Sequence, residues 1–246
     1  MTPPPREWDA GTYDRVAAPM TVRGTELVDA LDLRGDETVI DAGCGTGQVT
    51  ARLLERLPEG HVIALDGSRA MLDRAAERFA GDERVCLMHA DLGAPLSVRR
   101  TIDAVVSTST LHWVTDHGAL WANLRGVLRR GGVLRAEFGG AGNIAGVLEH
   151  VRALGVGHFP WCFATPEDTE RGLAAAGFTA VETRLVPRTA RLEPGQLVDY
   201  LRAVVLGDHV EHLGPEAGEE LVHAVAARMP EPEIDYVRLQ VSAVAA

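Results

Sequence analysis

Three glycines spaced two residues apart follow an aspartate in the segment VIDAGCGTGQVT. The glycines, Gly43, Gly45 and Gly47, lack Cβ atoms, so the backbone between them, which includes Cys44, can approach a bound ligand closely. Their spacing differs from the GxGxxG pattern of dinucleotide-binding turns, in which a pyrophosphate lies at the N-terminus of the following helix. Asp41 would repel such a phosphate and would attract a positively charged ligand. The turn therefore predicts a site for a cationic ligand.

Asp66 lies 19 residues after the last of these glycines, at the end of the apolar strand pattern IALD. An acidic side chain at that position can accept hydrogen bonds from both hydroxyls of a ribose. The alternative is that Asp66 caps the following helix, but Ser68 is a better N-cap. S-Adenosylmethionine combines a ribose with a positively charged sulfonium and ammonium, and it carries no phosphate. The two segments together predict a site for this methyl donor.

The next two strand patterns also end in polar residues. Asp91 ends the third, where its carboxylate can accept from an adenine amino group while the backbone N–H of Leu92 donates to a ring nitrogen. A plain turn aspartate is the alternative. Ser107 and Thr108 end the fourth strand, where the methionine part of the donor is expected to pass. Ligands of open α/β sheets bind at the carboxyl ends of the strands, so these residues are expected to share one site.

His112 and Trp113 follow the fourth strand and are candidates for the reacting centre. Methyl transfer is an in-line displacement, so the protein mainly has to align the acceptor and exclude water. A carboxylate acceptor is already ionised near neutral pH, whereas a phenol or carbon nucleophile would benefit from His112 as general base. The alternatives are a structural His112 and a Trp113 that packs rather than making a π contact with the sulfonium. His117 is expected to be solvated.

Two later segments could bind the acceptor. The aromatic stretch HFPWCF contains Phe159 and Trp161, and it is expected either to pack in the core or to form an apolar wall of the acceptor site. A tricarboxylate would need several converging arginines, with Arg202 as a candidate ligand. The last third of the chain offers Arg188, Arg191, Arg202 and Arg238. Surface positions paired with neighbouring carboxylates are the alternative for each, and the apolar segment LVDYLRAVVL keeps a hydrophobic or aromatic acceptor equally compatible.

Short apolar strands alternate with helical patterns before residue 140, beginning with a helix at 24–33. Five strands are predicted around the segments ETVIDAG, HVIALD, RVCLMHADL, TIDAVVS and GGVLRAEF. Strands that are apolar throughout and separated by helices indicate a parallel sheet covered on both faces, which is a doubly wound α/β fold. The helix over 116–128 is predicted to end in a basic last turn and a glycine stop at 129–132.

The pattern changes after residue 140. Helices are predicted at 144–154, 166–176, 194–205 and 216–229, and strands at 178–189 and 234–244. The sheet does not need the two helices between its last two strands in order to close. Residues 191–232 are therefore expected to form a small helical lid.

Bulk composition narrows the class of protein. The chain has 246 residues, 46% of them hydrophobic, and a formal net charge of −11, which argues against a general nucleic-acid-binding surface. Its three widely spaced cysteines form no disulfide framework, and no His, Cys and carboxylate cluster has metal-ligand spacing, so no metal is expected. Neither a secretory signal nor a membrane-length apolar run is evident. We expect a cytoplasmic monomer or weak dimer that acts on a small molecule and binds neither nucleic acid nor membrane.

The motifs VIDAGCGTGQVT, ALDGSRAML, MHADL, STSTLHWVTDH and RRGGVLRAEF resemble, in order and spacing, those of class I S-adenosylmethionine-dependent methyltransferases. The N-terminal EWDAGTYD, the LHW, the TPEDTERGLAAAGF segment and the helical insertion are most similar to the trans-aconitate methyltransferase-like group. Malonyl-carrier-protein and juvenile-hormone-acid methyltransferases share much of this pattern.

The resemblance implies a Rossmann-like methyltransferase fold, with a seven-stranded, mostly parallel sheet. It divides the chain into an N-terminal segment 1–23 that closes over the donor, a core of 24–190 plus 233–246, and the lid. Trp8 and Tyr13 are implied to fold over the donor, with His112 and Trp113 at the junction with the acceptor. Residues implied to contact the donor, together with their neighbours in the same motifs, are Asp41, Gly43, Cys44, Gly45, Gly47, Asp66, Gly67, Met71, Asp91, Leu92 and Ser107.

The expected reaction is O-methylation of a carboxylate of the trans-aconitate type. Methylation of oxygen, nitrogen or carbon in an aromatic or natural-product acceptor, with His112 as base, is the alternative. A protein that binds S-adenosylmethionine without catalysis is a lesser one, because donor binding and chemistry use different residues.

Overall fold

A computed structural model of the chain describes residues 6–11, 18–193 and 195–246. Its centre is a seven-stranded sheet with the strand order β3-β2-β1-β4-β5-β7-β6. The strands are β1 (Thr38–Ala42), β2 (His61–Asp66), β3 (Val85–His89), β4 (Ile102–Thr108), β5 (Leu128–Gly139), β6 (Phe178–Arg191) and β7 (Glu233–Ala245).

The five N-terminal strands pair in parallel, and β7 runs antiparallel between β5 and β6. Helices that cover this part of the sheet are α1 (Ala18–Asp29), α2 (Gln48–Arg56), α3 (Arg69–Arg78), α4 (His117–Val127), α5 (Ala145–Ala153) and α6 (Pro166–Ala175). Strands β1, β2 and β4 are buried along most of their length because helices cover both of their faces. The predicted doubly wound, mostly parallel fold is confirmed.

The boundary between α4 and β5 differs from the prediction. Helix α4 ends at Val127, and Leu128 already pairs with Ile102 of β4, so residues 129–132 form no helical last turn. Arg129 donates through Nε to Asp103 Oδ1 at 2.7 Å, which holds this segment against β4. A contact with a distant strand thus overrides the local helix-ending signal.

The first helix also differs, since it spans Ala18–Asp29 where 24–33 was predicted. Apolar spacing marked the helix, but the start signal of Pro19 in its first turn was not used. Boundaries of this kind are the least certain part of a pattern-based prediction.

Between β6 and β7 the described residues form more and shorter helices than predicted. The segment contains α7 (Leu197–Tyr200), a π-helical turn (Leu201–Val205), α8 (Gly207–Leu213) and α9 (Pro215–Ala226). Helix α8 was not predicted; it ends at Gly214, whose φ of +83° suits glycine. Tyr200, Leu201, Val205 and Val222 form a second apolar core with α5, separate from the core of the sheet.

Among the described residues, no helix is both long and apolar enough to cross a membrane.

Candidate active site

A cavity of about 690 Å³ opens at the carboxyl ends of β1, β2 and β4. Its walls come from the glycine turn, the strand ends, the segment before α1, the aromatic loop at 158–163, α8 and β7. This is the edge at which open α/β sheets bind ligands. Residues at the strand ends and residues of α8 and β7, far apart in sequence, therefore line one space.

Two of the three glycines in the turn pack closely against neighbouring side chains, and the third faces open space. Gly43 and Gly47 have φ of +80° and +86°, and an added Cβ would lie 2.2 Å from Thr110 and 2.4 Å from Phe79, respectively. An added Cβ on Gly45 would meet no atom within 4 Å. The backbone at Gly45 is thus the part of the turn that a ligand in the cavity can approach.

Asp41 lies behind this turn rather than in the cavity lining. Its carboxylate is fully buried, and Oδ2 accepts a hydrogen bond of 2.6 Å from the Thr50 hydroxyl. Burial raises the pKa of Asp41 to about 7, although the Thr50 hydrogen bond partly offsets that rise. The neighbouring Cys44 is also buried, and burial together with the charge of Asp41 raises the pKa of its thiol. Cys44 is among the residues that line the cavity, whereas Asp41 is not.

Asp66 joins two loops at the cavity wall. Its Oδ2 accepts from the backbone N–H of Gly45 and its Oδ1 from that of Ser68, both at 2.8 Å. Burial raises the pKa of Asp66, and the two N–H donors partly offset the rise. The predicted N-cap is present, since Ser68 Oγ accepts from Met71 N at the start of α3. Asp66, Gly67 and Met71 all line the cavity.

The ends of β3 and β4 contribute unequally. Asp91 and Leu92 line the cavity, and Asp91 Oδ1 accepts from the Gly93 N–H at 2.8 Å. Ser107 faces the interior of the sheet instead, where its hydroxyl donates to the Ala42 carbonyl at 2.7 Å. Thr108, the last residue of β4, points to the opposite face from Ser107 and lines the cavity, because alternate residues of a strand point to opposite faces. Ser109 and Thr110, which follow the strand, also line the cavity. The structure thus does not bring Ser107 to the site.

The segment before α1 is fixed to the N-terminus of α3. Glu7 accepts hydrogen bonds from the backbone N–H groups of Arg69 and Ala70 and from the Ser68 hydroxyl. These donors, with that of Arg69 the strongest, lower the pKa of Glu7. A carboxylate at a helix N-terminus is also stabilised by the helix dipole.

The same segment closes one side of the cavity. Trp8 lines it and packs edge-on against Trp113, with ring centroids 5.3 Å apart. Arg6 lies 4.2 Å above the Trp8 ring and pairs with Glu211 of α8 at 2.8 Å. Tyr13 lies outside the described residues.

His112 lies in a 3-10 turn, Leu111–Trp113, and lines the cavity. Its Nδ1 accepts a hydrogen bond from the Gly139 backbone N–H at 3.4 Å. Burial, and then the charge of the nearby Arg238, hold the pKa of His112 well below its ordinary value. The ring is therefore neutral at pH 7.

The prediction of a solvated His117 is wrong. Its Nε2 lies 3.2 Å from the Leu111 carbonyl, and its ring packs edge-on against Trp121 and Phe138. Burial lowers the pKa of His117. The side chain belongs to the packing beneath the 3-10 turn.

Three aromatic rings form a continuous wall of the cavity. Trp113 and Trp161 are 5.6 Å apart between centroids, and Trp161 stacks on Phe163 at 5.5 Å. Phe159 is 36% exposed and lies beneath the Arg152 guanidinium, outside the cavity lining. The aromatic stretch therefore contributes Trp161 and Phe163 to the site but not Phe159.

Arg202 is held in an ion-pair network away from the cavity. Its Nε and Nη2 donate to the two oxygens of Glu219 at 2.6 and 2.8 Å, and its Nη1 donates to Asp199 at 2.6 Å. Arg191 pairs with Glu233 at 2.7 Å. Arg202 and Arg191 therefore pair with neighbouring carboxylates outside the cavity, which was the alternative to acceptor binding.

Arg238 differs from the other arginines of the last third of the chain. It lines the cavity yet is only 2% exposed, and its Nη2 donates to Ser109 Oγ at 2.7 Å. Glu137 supplies a partly compensating charge, with Oε1 at 3.8 Å from Arg238 Nε and Oε2 bonded to Gln240. A guanidinium is thus held in a dry wall of the cavity, beside His112.

Comparison with known proteins identifies the class of enzyme. A family profile described as a methyltransferase domain matches residues 40–134. A trans-aconitate 2-methyltransferase of Methylobacterium radiotolerans is 28% identical over 224 residues, which cover 85% of this chain and 84% of that protein. These matches support a class I S-adenosylmethionine-dependent methyltransferase. The resemblance seen in the sequence motifs is thereby confirmed.

Two further matches show how far the methyltransferase resembles known proteins. A trans-aconitate 2-methyltransferase of Acidovorax ebreus is 34% identical over 131 residues, 53% of this chain and only 49% of that protein. A solved structure from Bacillus halodurans, described as a methyltransferase, has a TM-score of 0.65 at 17% identity and covers 91% of this chain and 98% of that one. The structural likeness shows the fold alone.

Sequence reasoning missed several cavity residues of the methyltransferase. Ser109 and Phe163 adjoin residues that were singled out, but only the path of the backbone shows that they line the space. Arg238 was named only as one of four arginines that could meet an acidic acceptor, with a surface position as the alternative for each. The sequence did contain a signal for Arg238. Tyr236 and Arg238 are two positions apart in a strand, so they lie on the same face, and one face of that strand must be covered.

Proposed function

We propose that the donor binds between the glycine turn and the ends of β2 and β3. The Gly45 backbone would approach the methionine part, Asp66 would accept from the ribose hydroxyls, and Asp91 with the Leu92 N–H would bind the adenine. A carboxylate oxygen has two lone pairs, so Asp66 can accept from a ribose and keep its two backbone donors. The acidic lining fits a cationic nucleoside without phosphates. When bound, S-adenosylmethionine would supply its sulfonium methyl group to the acceptor. The demethylated donor would leave as the neutral thioether S-adenosylhomocysteine.

We propose that the acceptor atom is a carboxylate oxygen. The observation that carries this proposal is Arg238, a guanidinium buried in the cavity wall beside His112. A buried guanidinium is stabilised by nearby negative charge, and Glu137 Oε1 already lies 3.8 Å from Arg238 Nε. A carboxylate bound in the cavity would be attracted to the same guanidinium. One of its oxygens would accept from Arg238 while the other faces the donor methyl group.

The state of His112 supports the same choice of acceptor. A backbone N–H can only donate, so the Gly139 contact requires an unprotonated Nδ1 and places the proton on Nε2. A neutral ring of that tautomer donates a hydrogen bond and has no lone pair left to remove a proton. Arg238 also disfavours the imidazolium that a general base would become. We therefore assign His112 to orienting an already ionised acceptor.

Residues 191–232 are proposed to act as a lid and the N-terminal segment as a strap across the cavity. Val204, Val205 and Asp208 from this region line the cavity, and the Arg6–Glu211 ion pair ties the two segments together. Covering the site would exclude water from the displacement.

The trans-aconitate 2-methyltransferase names of the relatives support a carboxylic acid as acceptor. One observation favours the second candidate, methylation of a phenol or another aromatic nucleophile. The wall of Trp113, Trp161 and Phe163 would pack against an aromatic acceptor of either kind. The role of Arg238 separates the two candidates.

Replacing Arg238 tests the carboxylate proposal. We expect Arg238→Met to lower kcat/KM for a carboxylic acid by about 10- to 100-fold, the range for losing one hydrogen bond to a charged group. Affinity for S-adenosylhomocysteine, measured by calorimetry, should not change. Arg188→Met on the neighbouring strand β6, at an exposed position outside the cavity lining, is the matched control and should leave both quantities unchanged.

Loss of Arg238 also leaves Glu137 buried without its cation. The double variant Glu137→Gln with Arg238→Met removes both charges, so it should fold and still lack the acid activity. Full activity toward acids in the double variant would contradict the assignment.

A further inference from the structure

We propose that Asn143 binds the acceptor, by donating a hydrogen bond from its side-chain amide to an oxygen of the carboxylate that is methylated. This role rests on the proposed carboxylate methylation and adds to it a residue that selects the acceptor. Three observations support it: the place of Asn143 in the cavity wall, the fixed orientation of its amide, and the strained backbone beside it.

Asn143 lies in the cavity wall just after the end of β5. It is only 3% exposed, and both it and Ile144 line the cavity. Its backbone N–H donates to the Gly140 carbonyl at 2.9 Å, so a tight turn carries the chain from β5 toward α5. The turn fixes the point from which the Asn143 side chain leaves the backbone.

A backbone group sets the orientation of the Asn143 amide. Asn143 Oδ1 accepts from the Val237 backbone N–H at 3.0 Å. A backbone N–H can only donate, so the amide atom that faces it must be the oxygen. The NH2 group, with its two N–H donors, therefore lies on the side of the amide that faces away from Val237.

The amide nitrogen lies beside the aromatic wall. An added Cβ on Gly139 would be 2.8 Å from Asn143 Nδ2 and 2.8 Å from Phe163 Cε1. The Gly139 N–H bonds to His112 Nδ1, so His112, Phe163 and Asn143 surround one residue at the end of β5. None of the described residues accepts a hydrogen bond from Nδ2. An N–H donor without an acceptor is unfavourable in a buried wall, and an oxygen of a bound ligand would satisfy it.

The backbone beside Asn143 is strained. Ile144 has a φ of +50°, in the left-handed region that a β-branched side chain rarely adopts. Its N–H donates to the Asp235 carbonyl at 2.9 Å and its side chain is buried in the second core, so hydrogen bonding and packing hold it there. Unfavourable backbone conformations of this kind cluster at ligand-binding and active sites.

A neutral N–H donor at this place favours an acceptor that presents an oxygen. A carboxylate has two oxygens and about four lone-pair sites, so one oxygen can accept from Asn143 while the other faces the methyl group of S-adenosylmethionine. A protonated amine has no lone pair and cannot accept. Asn143 would thus orient an acid and discriminate against an ammonium group.

Two variants separate the roles of the amide oxygen and the amide nitrogen. Asn143→Asp keeps an oxygen for the Val237 N–H and replaces the NH2 group by a second carboxylate oxygen, whereas Asn143→Ala removes both. The assay uses benzoate, phenylacetate and trans-aconitate at pH 8, well above the ordinary pKa of an aspartate. We expect Asn143→Ala to lower kcat/KM by about 10- to 100-fold for the acids that are methylated, and Asn143→Asp to lower it further, because a repulsive charge replaces a donor. Affinity for S-adenosylhomocysteine, measured by calorimetry, should stay unchanged in both variants.

Gln196→Glu is the matched control. Gln196 Oε1 accepts from the Glu193 backbone N–H at 3.2 Å, at an exposed position outside the cavity lining. The same change from amide to carboxylate should there alter neither kcat/KM nor the affinity for S-adenosylhomocysteine.

Side-chain amide resonances report the contact without turnover. The chain has two asparagines and three glutamines, so few NH2 pairs appear in a nitrogen–proton correlation spectrum, and the pair that Asn143→Asp lacks is that of Asn143. With the protein saturated with S-adenosylhomocysteine, at least one of the three acids should shift the Asn143 pair and leave that of Gln196 in place.

An Asn143 pair that no acid shifts, or an Asn143→Asp variant that esterifies acids as fast as wild type, would overturn the role of Asn143. Esters formed by wild type would in either case leave the carboxylate proposal standing. If wild type methylates phenol and no acid, and Asn143→Asp loses that activity, the carboxylate proposal fails and Asn143 remains an acceptor-binding residue.

Discussion

At the scale of single residues, type and spacing singled out the strand-end aspartates that line the cavity better than the arginine that does. Asp66 and Asp91 end consecutive strands, so their location could be derived from strand patterns alone. Arg202 and Arg238 are the same residue type in similar apolar surroundings, yet one forms exposed ion pairs and the other is buried in the cavity wall. Burial and partners depend on the tertiary structure, and no local pattern encodes them.

The ribose contact of Asp66 can be tested at this scale. Asp66→Ala alone is ambiguous, because it also removes the acceptor for Gly45 N–H and Ser68 N–H. We therefore compare S-adenosylhomocysteine with its 2′-deoxy and 3′-deoxy analogues by calorimetry. Wild type should lose about tenfold in affinity for at least one deoxy analogue, the value of roughly one hydrogen bond, while Asp66→Ala should bind all three equally. An Asp66→Ala variant that still discriminates as strongly as wild type would refute the ribose assignment.

At the scale of elements, continuous apolar runs were enough to predict the strands of the parallel sheet and the two C-terminal strands. The ends of elements and the short helices could not be predicted from apolar runs, because contacts with distant parts of the chain determine them. Arg129 bonds to Asp103 where a helix end was predicted and strand is found, and α8 forms between the two helices that were predicted for the lid. The link between β1 and α2 through Asp41 and Thr50 was also invisible, since Asp41 was assigned to the ligand.

Burial of Asp41 makes stability depend on pH, because it raises the pKa of this carboxyl. The folded-state pKa of Asp41, about 7, lies above its ordinary value of 3.8, so the folded chain holds a proton that the unfolded chain releases between these pH values. Its contribution to stability is fully present below about pH 4 and is lost as pH rises through about 7. Asp41→Asn mimics the protonated carboxyl, keeps an acceptor for Thr50, and should lack this dependence.

Urea unfolding at pH 5, 6, 7 and 8 measures the effect. The free energy of unfolding of wild type, relative to Asp41→Asn, should fall by on the order of 1–3 kcal/mol across this range. Asp73→Asn, at an exposed position of α3, controls for the loss of one carboxylate. A difference between wild type and Asp41→Asn that stays constant with pH would contradict a raised pKa.

At the scale of the whole molecule, the two halves of the cavity have different origins. The side proposed to bind the donor is built from consecutive strand ends of one fold, so its layout follows from the order of the motifs. The side proposed to bind the acceptor brings together the turn after β4, the aromatic loop, α8 and β7. The hydrogen bond from Arg238 to Ser109, for example, spans 129 residues of sequence. Contacts of that separation depend on the assembled sheet, which explains why the methyl donor could be predicted and the acceptor side only in outline.

The identity of the methylated atom tests the central claim most directly. The protein is incubated with methyl-labelled S-adenosylmethionine and a matched panel of aryl acids, phenols, amines and aliphatic acids, and the products are identified by mass spectrometry before and after mild alkaline hydrolysis. Labelled methyl esters, which hydrolysis returns to the free acid and labelled methanol, are the predicted products. Label found only in alkali-stable ethers or methylamines, with no ester from any acid, would contradict the account.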